Sequence, residues 1–111
     1  MNHLPETPAY AVLFISEREV DPAPEGYPAM DEATMRTVSK LDGFLGYDVA
    51  RTGKDGIFIS YWRDKEAIEA WKVNPVHKEA KKEGKARWYD AYRTVICKIE
   101  HFDDFRREQN L

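Results

Sequence analysis

The apolar positions of the chain change period several times, and each change marks an element. Ala9 to Ser16 (AYAVLFIS) is a short run of β-formers and reads as the first strand. EREVDPAPEGYP, with three prolines and a glycine, reads as a loop. From Pro28 the period lengthens: Met30, Thr34, Thr37, Val38 and Leu41 recur at three and four, the stripe of a helix. Asp31 and Glu32 are expected in its first turn, where negative charge suits the dipole, and Gly43 is expected to cap its end. Phe44 to Arg51 is the second strand, TGKDG (Thr52 to Gly56) a glycine-containing hairpin turn, and GIFISYWR the third strand. Asp64 then caps a second helix whose stripe is Ala67, Ile68 and Trp71. Asn74 and Pro75 fit the N-cap and first position of another helical segment, which Gly84 is expected to end. A long last strand follows within Trp88 to Phe102.

The order β-α-β-β-α-β predicts an α+β, ferredoxin-like fold, an antiparallel sheet with its helices on one face. The expected domain spans residues 9–102, between a loose N-terminal arm at 1–8 and a polar C-terminal tail at 103–111. Such a sheet should be apolar on one face only. Here Ala11, Leu13 and Ile15 oppose Tyr10, Val12 and Phe14 in the first strand, and Ile57, Ile59 and Tyr61 oppose Phe58 and Trp62 in the third. The helices can cover one of these apolar faces. The same face of a second copy is the simplest cover for the other, so a homodimer is expected.

Composition narrows the function classes. The 111 residues are 42% apolar and 33% charged, as in an ordinary globular domain. A net charge of −3 with mixed signs gives no field for nucleic acid or acidic lipid. Cys97 is the single cysteine, which excludes a disulfide framework and a cysteine-based zinc site within one chain. The longest apolar run, Ala9 to Ile15, is too short to span a bilayer. With no Lys or Arg before it and no small-residue cleavage site after it, it does not read as a signal-peptide core, so a cytoplasmic protein without membrane association is expected. His3, His77 and His101 lack metal-ligand spacing with any carboxylate, so no metal site is expected.

SYWRDKEAIEAWKVNPVHKEA, the later WYDAYR, and the earlier LDGFLGYDVAR together resemble the antibiotic biosynthesis monooxygenase (ABM) family over roughly Ala9 to Phe102. The resemblance implies a homodimer whose sheets join into a dimeric α/β barrel, with a pocket between sheet and helices in each subunit. Heme-degrading members of the family ligate iron through a histidine ten residues beyond the second-helix tryptophan. Counted from Trp71 that position is Lys81, and the first strand lacks the asparagine those members use, so a heme cofactor is not implied. Members that oxidise polyketide quinols without a cofactor keep a tryptophan where Trp62 stands. Where they carry a pocket asparagine, a tyrosine and a basic residue, this chain has Phe58, Ile68 and, near the third position, Lys81. The resemblance therefore implies a monooxygenase that uses no cofactor and takes a small aromatic, quinol-like substrate, or a non-catalytic binding or stress-response protein with the same pocket.

Six residues are the candidates for that pocket. Trp62 and Trp71 are most simply core aromatics and can at the same time wall an aromatic pocket. Phe58 shares the Trp62 face, and Trp88 either closes the pocket or begins the last strand. His77 sits early in a helical segment, where the dipole favours a neutral ring able to accept a proton; a capping or packing role is the alternative. Lys81, four residues on and so on the same side, can stabilise a phenolate, or belong with Lys78, Lys82, Lys85 and Arg87 to a solvated basic face. Ser60 between Phe58 and Trp62 leaves room for a ligand if Trp62 points to the helices, and Tyr61 then points to the partner subunit. RNA-recognition modules share the element order and third-strand aromatics. The Asp55-Gly56-Ile57 sequence breaks their motif and the chain is acidic, so that class is excluded.

Overall fold

The computed structural model describes residues 3–18 and 25–107. The middle of the first loop, residues 19–24, and the end of the tail, 108–111, lie outside the described residues, as do residues 1 and 2 of the arm. Four strands, β1 (Tyr10–Arg18), β2 (Phe44–Thr52), β3 (Asp55–Trp62) and β4 (Tyr89–Lys98), form one sheet in the order β2-β3-β1-β4. Every neighbouring pair is antiparallel. Helices α1 (Tyr27–Val38), α2 (Lys65–Lys72) and α3 (Pro75–Glu83) complete the α+β, ferredoxin-like fold.

Both expected caps of the central stretch are present. Asp64 Oδ1 accepts the Ala67 amide at 2.8 Å, and Asn74 Oδ1 accepts the Val76 amide at 2.9 Å. The helices α2 and α3 are thus separated by a cap rather than a long loop, and α3 turns back against α1.

Several boundaries differ from the sequence expectation, each for a local reason. β1 continues past Ser16 to Arg18, because the Arg18 amide finds the Lys54 carbonyl at 3.0 Å and Arg18 pairs with Tyr89 across an irregularity. α1 begins at Tyr27 behind Gly26, whose φ of +84° suits glycine, so Asp31 and Glu32 fall in the second turn rather than the first. α1 ends at Val38 with Ser39 as its C-cap, before Leu41. Gly43, at φ +94°, is instead the tight residue that delivers β2. A Cβ there would lie 2.5 Å from the Ala67 Cβ, and its carbonyl accepts the Arg63 amide at 2.8 Å. Gly84 stays right-handed and does not end the helix; a π-helical turn, Gly84–Trp88, carries the chain straight into β4.

The arm is tied down from Glu6 onward. Arg63 bridges Glu6 at 2.7 Å and Asp42 at 2.9 Å, Pro8 is buried, and Ala9 hydrogen-bonds Trp62 and Ile99. Register fixes the faces of the sheet. Tyr10 lies beside Trp62, Val12 beside Ser60, and Phe14 beside Phe58; these side chains face the helices. The core there is Val38, Trp62, Ala67 and Ile68. Leu13, Ile15, Ile57 and Ile59 alternate onto the opposite, helix-free face, where Ile57 is 44% exposed. Tyr61 on that face donates to Asp48 Oδ2 at 2.7 Å; burial, and then the carboxylate's hydrogen bond, push its pKa up to about 12.

Candidate functional site

A cavity of about 480 Å³ lies between the helix-facing side of the sheet and the helices, large enough for a small organic ligand. It is lined by Val12, Phe14, Met30, Met35, Phe58 and Ile68 along its length, and it has a polar group at each end. Phe58, Trp62, Trp71, His77, Lys81 and Trp88, the six candidates from the sequence, all border this one space.

At the near end Trp62 forms the floor and is only 1% exposed. Its Nε1 donates to Ser60 Oγ at 2.8 Å, and Phe44 meets its face edge-on at 5.4 Å. Ser60 therefore does more than leave space, since it satisfies the one polar atom of the buried indole. Trp71, on the inner side of α2, stacks on the His77 ring at 4.7 Å and 26°. The Asn74 cap makes this contact possible by turning the chain so sharply that residue 77 returns beneath residue 71. Burial lowers the His77 pKa from its ordinary 6.5, and the nearby Lys81 ammonium lowers it further; the carbonyls of Lys72 and Trp71 act weakly the other way. The ring is thus neutral at pH 7, and its buried Nδ1 makes no hydrogen bond of good geometry, the Lys72 and Trp71 carbonyls being the backbone groups that act on the ring. Lys81 is exposed to solvent and borders the cavity one turn further along α3.

The far end was not anticipated. Arg18 is buried, and its guanidinium lies over the Tyr27 ring at 4.4 Å. Tyr89 donates to the Tyr27 hydroxyl at 3.2 Å. Burial, followed by that hydrogen bond, raises the Tyr89 pKa strongly, so it remains a neutral phenol. Asp31 borders the same end; partial burial raises its pKa from 3.8, opposed by Arg18, although much of the residue stays exposed. Trp88, 5% exposed, closes the end by donating to the Glu25 carbonyl at 3.0 Å and meeting Tyr27 edge-on. A signal for Arg18 exists in the sequence: continuing the alternation Tyr10, Val12, Phe14, Ser16 places residue 18 on the same face. Tyr27 and Tyr89 carry no such mark, because α1 and the π turn bring them together from 62 residues apart.

Comparison with known proteins identifies the family and agrees with the fold. The family model for antibiotic biosynthesis monooxygenase matches residues 29–83. An uncharacterised Bacillus subtilis protein, YqjZ, is 31% identical over 111 residues, covering 99% of this chain and 96% of its own. The chain belongs to the antibiotic biosynthesis monooxygenase family. Among solved structures, a putative ABM protein from Nitrosomonas europaea superposes with a TM-score of 0.71 at 9% identity, over 86% of this chain and 94% of that one. SnoaB from Streptomyces nogalater, described as a cofactor-independent oxygenase, superposes at 0.63 with 16% identity, over 85% of this chain and 97% of its own. At these identities the two share the fold. The ABM match runs from α1 to α3 and so includes Trp62, Trp71, His77 and Lys81, but not Arg18, Trp88 or Tyr89.

Among the described residues no helix is long and apolar enough to cross a membrane. No three His, Cys, Asp or Glu side chains among them converge as a metal site would require. Cys97 is a half-buried free thiol in β4, on the face away from the cavity.

Proposed function

We propose that this ABM protein is a homodimeric, cofactor-independent monooxygenase acting on a small, electron-rich aromatic of the quinol kind. The observation that carries the reading is the pairing of an aromatic-walled cavity with a neutral histidine stacked against one of its walls. A quinol needs little from a protein in order to reduce oxygen: a base, a nearby cation and a space with little water. His77 takes the phenolic proton, and the Lys81 ammonium stabilises the phenolate. The electron-rich ring carbon then forms a C–O bond to dioxygen, giving a hydroperoxide. Loss of the proton from that carbon breaks the O–O bond and releases water. One oxygen atom enters the product, a hydroxyquinone, and the other leaves as water; the substrate supplies all four electrons that dioxygen takes up. SnoaB, described as working without a cofactor on the same fold, supports this reading.

The helix-free face supports the dimer. Leu13, Ile15, Ile57 and Ile59 leave it apolar, and the same patch on a second copy is self-complementary. Light scattering at low micromolar concentration checks it, and a well-folded monomer would overturn it.

Oxygen uptake with a panel of quinols tests the chemistry. Turnover is expected, with a loss of about 100-fold or more in His77→Ala while ligand binding survives. One observation favours a non-catalytic binding protein: His77 is half-buried and stacked on Trp71, as a histidine with a packing role would be. Binding without uptake across the panel would establish that second reading.

A further inference from the structure

The outer side of α3 carries a row of charge that the fold does not use. Lys78, Lys81, Lys82 and Lys85 follow one another at spacings of three and four, so they share one side of α3 and its π-helical continuation. All four are exposed, and none makes an ion pair or a side-chain hydrogen bond among the described residues. Elsewhere the helices answer such charges in place: Arg36 with Glu32, Lys72 with Glu69, Arg87 with Glu83. Along the row each lysine instead has like charges three and four residues away, and such pairs weaken a helix. Lys81 and Lys82, in the last turn of α3, recover part of that loss from the dipole; Lys78, near its start, does not. The row is also narrow. Lys81 borders the cavity on one side, and Glu79 and Glu83 line a shallow groove against α1 on the other. Where the row begins, the α2–α3 corner leaves Val73 64% exposed.

We propose that this lysine row is a docking surface for an acidic helix of another protein, with carboxylates at spacings of three and four and an apolar residue beyond them that meets Val73. Charge complementarity sets the sign of the partner: four unanswered ammonium groups stand together on a chain whose net charge is −3. Geometry sets its shape. The row spans about 10 Å at helical rise, two turns of a matching helix. A single helix laid along it brings its carboxylates to the lysines while its far side clears Glu79 and Glu83. A nucleic-acid backbone or a lipid surface is broader and would press its phosphates against those two carboxylates. A dimer joined through the helix-free faces leaves α3 open on both copies. The partner seated here lies against Lys81 and so beside the cavity. The proposal does not depend on the oxygenase reading.

Chemical-shift titration of the isotopically labelled full chain tests it with two capped, alanine-based helical peptides of one composition. In the first, four glutamates repeat the spacing of the row and a leucine lies one turn beyond them; in the second, the glutamates are spread around the helix. The first is expected to shift the amides of residues 73–87, to bind about tenfold more tightly than the second, and to weaken with added salt. Reversing the row with Lys78→Glu, Lys82→Glu and Lys85→Glu together should cost about tenfold or more, and a peptide with lysines in place of its glutamates should restore binding. If that variant fails to fold, Lys78→Gln with Lys82→Gln decides the matter through the same loss. Equal binding of the two peptides, shifts elsewhere on the surface, or affinity that survives in the folded variants would overturn the docking surface. Tighter binding of a short DNA duplex or of phosphatidylserine vesicles through the same lysines would overturn the helical protein partner. No binding by any probe would leave the row a solvated face and overturn the proposal.

Discussion

The two ends of the cavity are built in opposite ways. The near end comes from one continuous stretch, Trp62 to Lys81, in which a strand end, a capped helix and a second cap follow each other within twenty residues. The far end is assembled from β1, the start of α1, and the junction of the π turn with β4. The near end is therefore set by local chemistry: two caps fix where Trp71 and His77 point. The far end exists only when the sheet register is correct, because Arg18 meets Tyr89 solely through the β1–β4 pairing.

Removing the indole at each end should show the difference most strongly. Trp62 belongs to the core with Val38, Ala67 and Ile68, so Trp62→Ala is expected to cost about 3–5 kcal/mol in urea unfolding. Trp88→Ala, which leaves that core intact, should cost roughly 1–3 kcal/mol. Equal losses would mean that the far end is as much a part of the core as the near end.

A backbone change sharpens the contrast with a smaller effect. Gly84→Ala places a methyl against the Tyr89 ring at 2.9 Å while the chain remains right-handed, so the ring rather than the helix must move. The variant should fold, with a loss of about 1 kcal/mol or less, because alanine suits helical backbone. Its near-ultraviolet circular dichroism, which reports the packing of aromatic rings, should change, while the pH dependence of the urea midpoint between neutral pH and pH 5 stays in place. A change in that pH dependence would show that the two ends are mechanically coupled.

The smallest expected effect is electrostatic and belongs to the near end. Burial holds the folded His77 pKa below 6.5, so the unfolded chain binds more protons around that pH. This contribution to stability is fully present above pH 6.5 and is lost as pH falls toward the folded value. Urea midpoints should therefore drop between neutral pH and pH 5, and His77→Gln should flatten part of that slope. The Tyr89 phenol, shifted upward, contributes nothing in this window. An unchanged slope in His77→Gln would place the titration elsewhere.

Residues 62–81 could be read before folding because their signals are short in range. Asp64 and Asn74 cap through amides two or three residues away, and the apolar stripe of α2 follows from a fixed period. The face assignment of Trp62 was also within reach, given that Ser60 and Phe58 alternate with it. Other features depended on partners distant in sequence. Gly43 looked like a helix cap by its position after Leu41, but its role is set by the approach of Ala67. Gly84 looked like a stop, but what matters is the Tyr89 ring packed against it. Arg18 looked like loop, because three prolines follow; only the Lys54 carbonyl and the β4 strand show that β1 runs on to include it.

The sequence by itself determined the order of elements, the antiparallel α+β fold, the ABM resemblance and the near end of the cavity, because periodicity and capping act over a few residues. The tertiary structure alone decided that a second polar end faces His77 across the same space. Tyr27 and Tyr89 are 62 residues apart, and nothing local in either segment specifies the other. Their hydroxyls meet at 3.2 Å only because strand register and the π turn close a long loop of chain.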